Sequence, residues 1–213
     1  MSRRILTGIT TTGIPHIGNY FGAIKPALQL SSEKNVSSYF FLADLHAIIK
    51  QTNPNEIKVS VNEVALAWLS SGLDPEKSFF YRQSNIPEIT ELAWILSCVT
   101  AKGLINRSHA YKAAVQLNHD HTKDEDKGIS MGLFSYPVLM AADILMFNSS
   151  HVPVGKDQLQ HLEITRDIAE KFNHQYGNTF VIPEAIINKD GKLLVGHDGR
   201  KMSKLQQCNS FFK

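Results

Sequence analysis

RRILTGITTTGIPHIGNYFGAIKPALQL, residues 3–30, changes its pattern of apolar and polar residues twice along its length. The run RRILTGI is short and apolar and ends near a glycine, as buried strands do. The polar loop at 10–18 follows, and apolar periodicity from Tyr20 to Leu30 then predicts a helix. The stretch therefore predicts a strand, a loop and a helix in that order, which is the unit that builds parallel sheets.

The same alternation continues along the chain. Further strands are predicted at 37–49, 77–83 and 149–155, and further helices at 54–71, 84–99, 132–148 and 156–177. The weakly periodic polar segment 102–127 is predicted to be an insertion. This order favours an α/β fold with a Rossmann-like doubly wound parallel sheet, in which ligands bind beyond the carboxyl ends of the strands. We therefore expect functional residues in the loops at 8–19 and 155–158.

Composition narrows the class of protein. The chain has 213 residues, 43% hydrophobic content and a formal net charge of +2, so we expect a globular body without a chain-wide attraction for nucleic acid. Its two cysteines fit neither a disulfide framework nor a zinc site, which predicts a cytoplasmic protein. The sequence has no signal-peptide pattern and no run approaching the roughly 18 apolar residues of a membrane span.

HIGN, residues 16–19, opens the first predicted helix. Unpaired N–H groups at a helix start favour an anion, Gly18 lets a phosphate or ribose approach the backbone, and His16 and Asn19 offer hydrogen bonds. An ordinary helix cap with an incidental histidine explains the motif equally well. Neither common glycine-rich phosphate loop is present, so HIGN needs support from elsewhere in the chain.

Tyr136, Met140 and Asp143 share one face of an otherwise apolar predicted helix, because they are spaced four and three residues apart. Burying a carboxylate on such a face costs on the order of several kcal/mol of desolvation free energy unless the carboxylate is paired. Its partner is either a neighbouring arginine or helix cap, or an N–H group of an aromatic ligand held between Tyr136 and Met140. His46 lies near the end of the second predicted strand, at the same edge, either as a structural residue or as part of that pocket.

Two further clusters carry polar groups. VPVGKDQ, residues 152–158, places Asp157 and Gln158 at a predicted helix start, where they suit a ribose or an ammonium group, unless Asp157 simply caps the helix. KMSK, residues 201–204, sets two lysines around a serine, and such a loop neutralises phosphate charge in a transition state. The histidines within 118–127 are interpreted as part of a solvated charged segment, and no metal site is predicted.

HIGN and KMSK, framing a predicted parallel sheet, resemble the paired signatures of class I aminoacyl-tRNA synthetases. Within that class, TGITTTGIPHIGNYFGA, YPVLMAADIL, VPVGKDQLQHLEITRDIAEKFN and KMSK resemble the tryptophanyl-tRNA synthetase family. The resemblance implies a catalytic domain at 1–204, with the insertion at about 102–127. It also implies activation of L-tryptophan by ATP with Mg²⁺, transfer of the tryptophanyl group to tRNA(Trp), and a homodimer without a protein-bound metal.

The resemblance also implies roles for individual residues. The catalytic residues implied are His16, Asn19, Lys201 and Lys204. Asp143 would accept the indole N–H of tryptophan, and the substrate would be surrounded by Met140, Tyr136, His46 and Gln158. The residues implied for ATP are Thr10, Thr11, Thr12, Gly18, Asn19, Gly155, Lys156, Asp157, Lys201, Met202, Ser203 and Lys204.

The last stretch, LQQCNSFFK at 205–213, does not continue the resemblance. Shifting the reading frame of suitable codons by one base converts LQQCNSF into Tyr-Asn-Asn-Ala-Ile-Pro-Phe, which is typical of the family. We therefore expect a frameshifted tail without function and no anticodon-binding helical domain. Three functions remain open: a tryptophan–tRNA ligase, a product that binds ATP and tryptophan without charging tRNA, and an unrelated nucleotidyltransferase.

Overall fold

Five parallel strands form one sheet in the computed structural model, which describes residues 3–155 and 158–187. The strands are β1 (Arg3–Thr10), β2 (Val36–Ala43), β3 (Phe79–Arg82), β4 (His151–Val154) and β5 (Glu184–Ile187). Their order across the sheet is β3-β2-β1-β4-β5. The chain reverses its direction of travel across the sheet between β1 and β4, as in doubly wound nucleotide-binding folds. The predicted fold class is confirmed.

Helices connect the strands and cover both faces of the sheet. They are α1 (Ile17–Asn19), α2 (Lys25–Ser31), α3 (Asp44–Ala47), α4 (Pro54–Ser70), α5 (Glu88–Val99), α6 (Lys102–Ile105), α7 (His109–Asp120), α8 (Met131–Met146) and α9 (Leu159–Tyr176). A π-helical turn at Tyr20–Ile24 joins α1 to α2, so 17–31 is one continuous helical segment. None of the described helices is long and apolar enough to cross a membrane.

Two elements differ most from the sequence prediction. The second strand, predicted to run to residue 49, ends at Ala43 because the chain turns into α3 at Asp44, whose buried side chain accepts hydrogen bonds from Ser84. A short apolar run does not by itself distinguish a strand from a buried helical turn. β5 is a strand that the sequence analysis did not delimit. The segment 102–127 contains α6 and α7, and its status as an insertion stays a prediction.

The core lies in layers on the two sides of the sheet. On one side, α2 and α4 pack against β1 and β2, where the rings of Phe40 and Trp68 lie 4.8 Å apart between centroids. On the other side, α5, α8 and α9 pack together around residues such as Leu96, Ala141 and Ile168. Because both faces are covered, the carboxyl edge of the sheet is where polar groups gather.

Gly8 in β1 is required by the ring of Phe41, its neighbour on β2 in the sheet register. A Cβ atom added to Gly8 would lie 2.3 Å from Cζ of that ring. The Phe41 side chain is buried in a cluster with Leu6, Ile144 and Val154, so it has little room to move away. The missing side chain at Gly8 therefore allows this aromatic ring to pack over the middle of the sheet.

We predict that Gly8→Ala lowers the free energy of unfolding by about 1–3 kcal/mol, because it overpacks the Phe41 ring. Urea unfolding followed by circular dichroism measures the change. Gly22→Ala is the matched control, since nothing lies within 4 Å of a Cβ added there. Replacing Phe41 by Leu in the Gly8→Ala background should restore part of the loss. A Gly8→Ala chain as stable as the wild type would contradict the contact.

Candidate active site

The carboxyl ends of β1 and β4 lie side by side at the point where the strand order reverses. β1 ends at Thr10 and leads into the HIGN loop, while β4 ends at Val154 and leads into Gly155. The two loops expected to carry function therefore leave the same edge of the sheet. In open α/β sheets this crevice is the usual ligand site. Lys156, Asp157 and the 201–204 loop lie outside the described residues.

HIGN forms a reciprocal cap at the start of α1. His16 Nδ1 accepts a hydrogen bond from the Gly18 N–H at 3.0 Å, and Asn19 Oδ1 accepts one from the His16 N–H at 3.0 Å. Since Nδ1 accepts, a neutral His16 ring carries its proton on Nε2. A Cβ atom at Gly18 would lie 2.8 Å from the ring, which explains the glycine. The motif forms a helix cap, but the histidine is not incidental because its side chain makes the cap. ATP binding by these residues stays a prediction.

The three threonines after β1 are not equivalent. Thr10 is exposed and Thr12 half-buried, whereas Thr11 has 0% exposure and its hydroxyl has no hydrogen-bond partner among the described residues. The loop is anchored to α4, because the Gly13 N–H donates to Ser60 Oγ at 2.7 Å. A contact between the Thr11 side chain and a nucleotide therefore requires this anchored loop to move, while Thr10 and Thr12 are already accessible.

Asp143 is the most deeply buried charged group of the site, with a relative exposure of 1%. Its Oδ2 accepts a hydrogen bond from His46 Nε2 at 2.9 Å. Gln83 Nε2 donates to Oδ1 at 2.8 Å and to Oδ2 at 3.0 Å. The partners that the sequence analysis proposed were an arginine, a helix cap or a ligand. Within the chain the partners are instead an imidazole and an amide.

Burial has a direct electrostatic effect on this group. Loss of water raises the pKa of Asp143 above its usual value, although the hydrogen bonds from His46 and Gln83 lower it in part. Burial, together with the charge of Asp143, also raises the pKa of Tyr81. The ionised form of Asp143 consequently depends on its two donors, since a buried carboxylate without them favours the protonated form.

Tyr136 and Met140 lie on α8 with Asp143, as the helical spacing predicts. The rings of His46 and Tyr136 meet edge to face with centroids 6.2 Å apart. The Tyr136 hydroxyl hydrogen-bonds to Nε2 of the buried His161 on α9. Met140 packs against the apolar cluster that contains Phe41. The structure thus brings His46, Tyr136 and Asp143 together.

Gly155 and Gln158 lie at the other side of the site, where β4 passes into α9. The Gln158 N–H donates to the Gly155 carbonyl at 2.9 Å and closes the turn. Gln158 occupies the cap position of α9 with an exposed side chain that makes no capping hydrogen bond. Its side chain is thus accessible to a ligand at the switch point.

Sequence reasoning missed the polar residues that hold this edge together. Asp44 accepts hydrogen bonds from the Ser84 N–H at 3.0 Å and the Ser84 hydroxyl at 2.6 Å, and it pairs with Arg82. These contacts join the end of β2 to the end of β3. Gln83 was overlooked although it lies at the carboxyl end of the predicted strand 77–83, and this position is the available signal. The sequence signal for His161 is weaker, because it consists only of a position on the buried face of an amphipathic helix.

Within 3–155 and 158–187, no group of three or more His, Cys, Asp or Glu side chains is arranged to hold a metal ion. The described cysteine, Cys98, is exposed on α5 and unpaired.

A family model described as tRNA synthetases class I (W and Y) matches residues 2–209. The chain belongs to this family. The matched residues include the HIGN motif, which was one of the motifs that carried the resemblance in the sequence. The resemblance to the tryptophan members is confirmed as well by the relatives described next.

Tryptophan–tRNA ligases are among the similar proteins of this synthetase family. The Bordetella pertussis enzyme is 60% identical over 205 residues, which cover 96% of this chain and 46% of the relative. The Neisseria meningitidis enzyme is 59% identical over 203 residues, covering 95% of this chain and 60% of the relative. The chain therefore spans about half the length of the curated relatives that it matches.

Solved structures of synthetases share the fold. Tryptophanyl-tRNA synthetase from Campylobacter jejuni, complexed with ADP and tryptophan, is 47% identical with a TM-score of 0.84, over 96% of this chain and 61% of that one. Tyrosyl-tRNA synthetase from Archaeoglobus fulgidus, complexed with L-tyrosine, is 20% identical with a TM-score of 0.72, over 96% of this chain and 59% of that one. At that lower identity the likeness concerns the fold alone.

We predict an acid-sensitive contribution to stability from the Asp44 cluster of this synthetase chain. Burial alone would raise the pKa of Asp44, but hydrogen bonds from Ser84 and Arg82 hold it below its usual value. A depressed carboxyl pKa stabilises the folded state above the unfolded pKa of about 3.9, and this contribution is lost as the pH falls through the folded pKa.

Ser84→Ala removes one of these donors and should lower the free energy of unfolding by about 1 kcal/mol at pH 7. The difference from the wild type should shrink below about pH 4, as Asp44 becomes protonated. Urea unfolding at several pH values measures it. Ser97→Ala is the control, because the Ser97 hydroxyl bonds only to Ala93 of its own helix. A Ser84→Ala difference that is constant down to pH 2 would argue against the assignment.

Proposed function

We propose that this chain carries the amino-acid-activating site of a tryptophan–tRNA ligase. L-tryptophan and ATP with Mg²⁺ give tryptophanyl-adenylate and pyrophosphate, and the tryptophanyl group then passes to tRNA(Trp). The observation that carries the proposal is the buried Asp143 carboxylate beside His46 and Tyr136, at the ligand edge of the sheet. The similarity to tryptophan–tRNA ligases at about 60% identity supports it.

Asp143 suits the indole ring because the indole nitrogen is a hydrogen-bond donor only. A carboxylate at 1% exposure cannot replace a missing ligand donor with bulk water. An amino acid that lacks the N–H group would therefore leave a desolvated acceptor unpaired, and a site of this kind rejects such analogues strongly. Tyr136 and Met140 supply the aromatic and polarizable surfaces that an indole packs against. His46 and Gln158 complete the proposed substrate contacts.

The activation step needs no side-chain nucleophile. A carboxylate oxygen of tryptophan attacks the α-phosphorus of ATP, the bond from that phosphorus to the bridging oxygen breaks, and pyrophosphate leaves. Catalysis is then positioning plus stabilisation of the developing charge. We assign the phosphate contacts near the first helix to His16, Gly18 and Asn19.

The nucleotide and its leaving group also involve the loops on either side of this helix. The remaining ATP contacts are assigned to Thr10, Thr11, Thr12, Gly155, Lys156, Asp157, Lys201, Met202, Ser203 and Lys204. Mg²⁺ on the ATP phosphates offsets their charge. The two KMSK lysines would neutralise the departing pyrophosphate as its charge develops. Activity of this kind belongs in the cytoplasm, where we place the protein.

Two assays on the 213-residue chain separate the functions that remain open. Tryptophan-dependent exchange of pyrophosphate into ATP reports activation, and aminoacylation of tRNA(Trp) reports transfer. Both activities support the ligase. Exchange without transfer supports a chain that activates tryptophan but does not charge tRNA. Binding of ATP and tryptophan without either activity supports a product that binds both ligands without charging tRNA, and the absence of both binding and exchange rejects the proposal.

We predict that Asp143→Asn and Asp143→Ala each raise the KM for tryptophan in the exchange assay by about 10- to 100-fold, as expected for losing a hydrogen bond to a charged group. The KM for ATP should change far less, because no ATP contact is assigned to Asp143. Asp167→Asn, an exposed carboxylate on α9, is the control. An unchanged KM for tryptophan in a folded Asp143 variant would remove this residue from the substrate site.

The proposed homodimer would use the surface near the 102–127 segment. Trp94 and Ile95 on α5, just before this segment, are 73% and 48% exposed. Large apolar side chains left this open in a folded chain are typical of an interface. The partner that we propose for this surface is a second copy of the chain.

We predict that sedimentation velocity finds a dimer for the wild type and a shift toward monomer for Trp94→Asp, because an interface charge costs desolvation energy. The control is Leu66→Asp on α4, whose side chain is 59% exposed on a different helix. A wild-type chain that stays monomeric at high micromolar concentration would rule out the dimer.

A further inference from the structure

Gln83 has a fixed side chain between three elements of the fold. It follows β3 directly, and its side chain has 0% exposure. Its Oε1 accepts a hydrogen bond from the Leu45 N–H at 3.1 Å, and its Nε2 donates to Asp143. The backbone N–H of Leu45 is an obligatory donor, so the amide oxygen must point toward it. The amide nitrogen is consequently turned toward Asp143.

The hydrogen bonds of Asp143 leave a single vacancy. A carboxylate offers about four acceptor positions, two on each oxygen. Oδ2 accepts from His46 and from Gln83, and Oδ1 accepts from Gln83. The described residues supply these three contacts and no fourth, so one acceptor position remains on Oδ1. A ligand that presents one N–H donor and no acceptor fits this position once neighbouring side chains move aside, because Asp143 is only 1% exposed.

We propose that Gln83 is a positioning residue that sets specificity for an aromatic amino acid with a ring N–H, by fixing which lone pair of Asp143 faces the ligand. This inference rests on the proposed function, since it concerns the same substrate. Gln83 acts through Asp143, and the proposal requires no contact between Gln83 and the ligand.

The bifurcated contact explains why a glutamine is suited to this role. Donation to both oxygens holds the carboxylate plane in one orientation, so Oδ1 does not rotate away from the ligand. The same contact favours the ionised form, which accepts a hydrogen bond where a protonated carboxyl would compete as a donor. A glutamate in its place would still accept from Leu45, but it would bring a second acceptor against Asp143.

A purely structural role for Gln83 gives a different expectation. In that case its loss would weaken the join between β3, α3 and α8 and would reduce stability. Affinity for ligands with and without the ring N–H would then fall in parallel. The ratio of the two affinities therefore separates the roles, whereas stability alone does not.

The test measures dissociation constants by isothermal titration calorimetry for L-tryptophan and for L-3-benzothienylalanine, in which sulfur replaces the ring N–H. The variants are Gln83→Leu and Gln83→Glu in the full chain. We expect each to weaken tryptophan binding by about tenfold or more while the benzothienyl analogue changes little, so that discrimination falls. The control is Gln116→Leu, which breaks an exposed glutamine–aspartate hydrogen bond on α7 and should keep the wild-type ratio.

A wild-type measurement covers the case in which the variants do not fold. With ¹⁵N-glutamine labelling, the side-chain amide signal of Gln83 should shift more with tryptophan than with the analogue, because only tryptophan adds a donor to Oδ1. Equal shifts, or folded variants with unchanged discrimination, would overturn this inference alone. A wild-type chain that binds no tryptophan overturns the proposed function and this inference with it.

Discussion

A carboxylate held away from water is the constraint on which this site depends. Asp143 lies on a helix with apolar neighbours, and an unpaired charge there would cost several kcal/mol in round numbers. Its donors come from two places far along the chain, His46 on α3 and Gln83 after β3. The fold can keep Asp143 ionised only if the ends of β2 and β3 stay close to α8.

Two features of the sheet maintain that closeness. The Asp44 cluster links the last residues of β2 to those of β3, so that His46 and Gln83 start from fixed positions. In the middle of the sheet, Gly8 leaves room for the Phe41 ring, which packs in one buried cluster with Ile144 of α8. Loose packing in either place would shift the position of Asp143, because close-packed protein interiors transmit small displacements.

The proposed reaction divides between two halves of the crevice. In this proposal the nucleotide half comprises the end of β1 and the His16 cap at the start of the first helical segment. The amino-acid half is built from α8 and α3 and is largely apolar. Because the strands are parallel, both halves lie at the same edge of the sheet. The proposed reaction depends mainly on holding the two substrates in position, and this arrangement places them side by side.

The sequence by itself determined the sheet class, the shared face of Tyr136, Met140 and Asp143, and the membership in a synthetase family, because periodicity and short motifs are local properties. Only the tertiary structure decided the end of β2, the burial of Thr11 and the partners of Asp143. Gln83 and Asp143 are 60 residues apart in sequence, and His46 and Asp143 are 97 apart. Hydrogen bonds over such separations depend on how the layers pack, and no local pattern of residues encodes them.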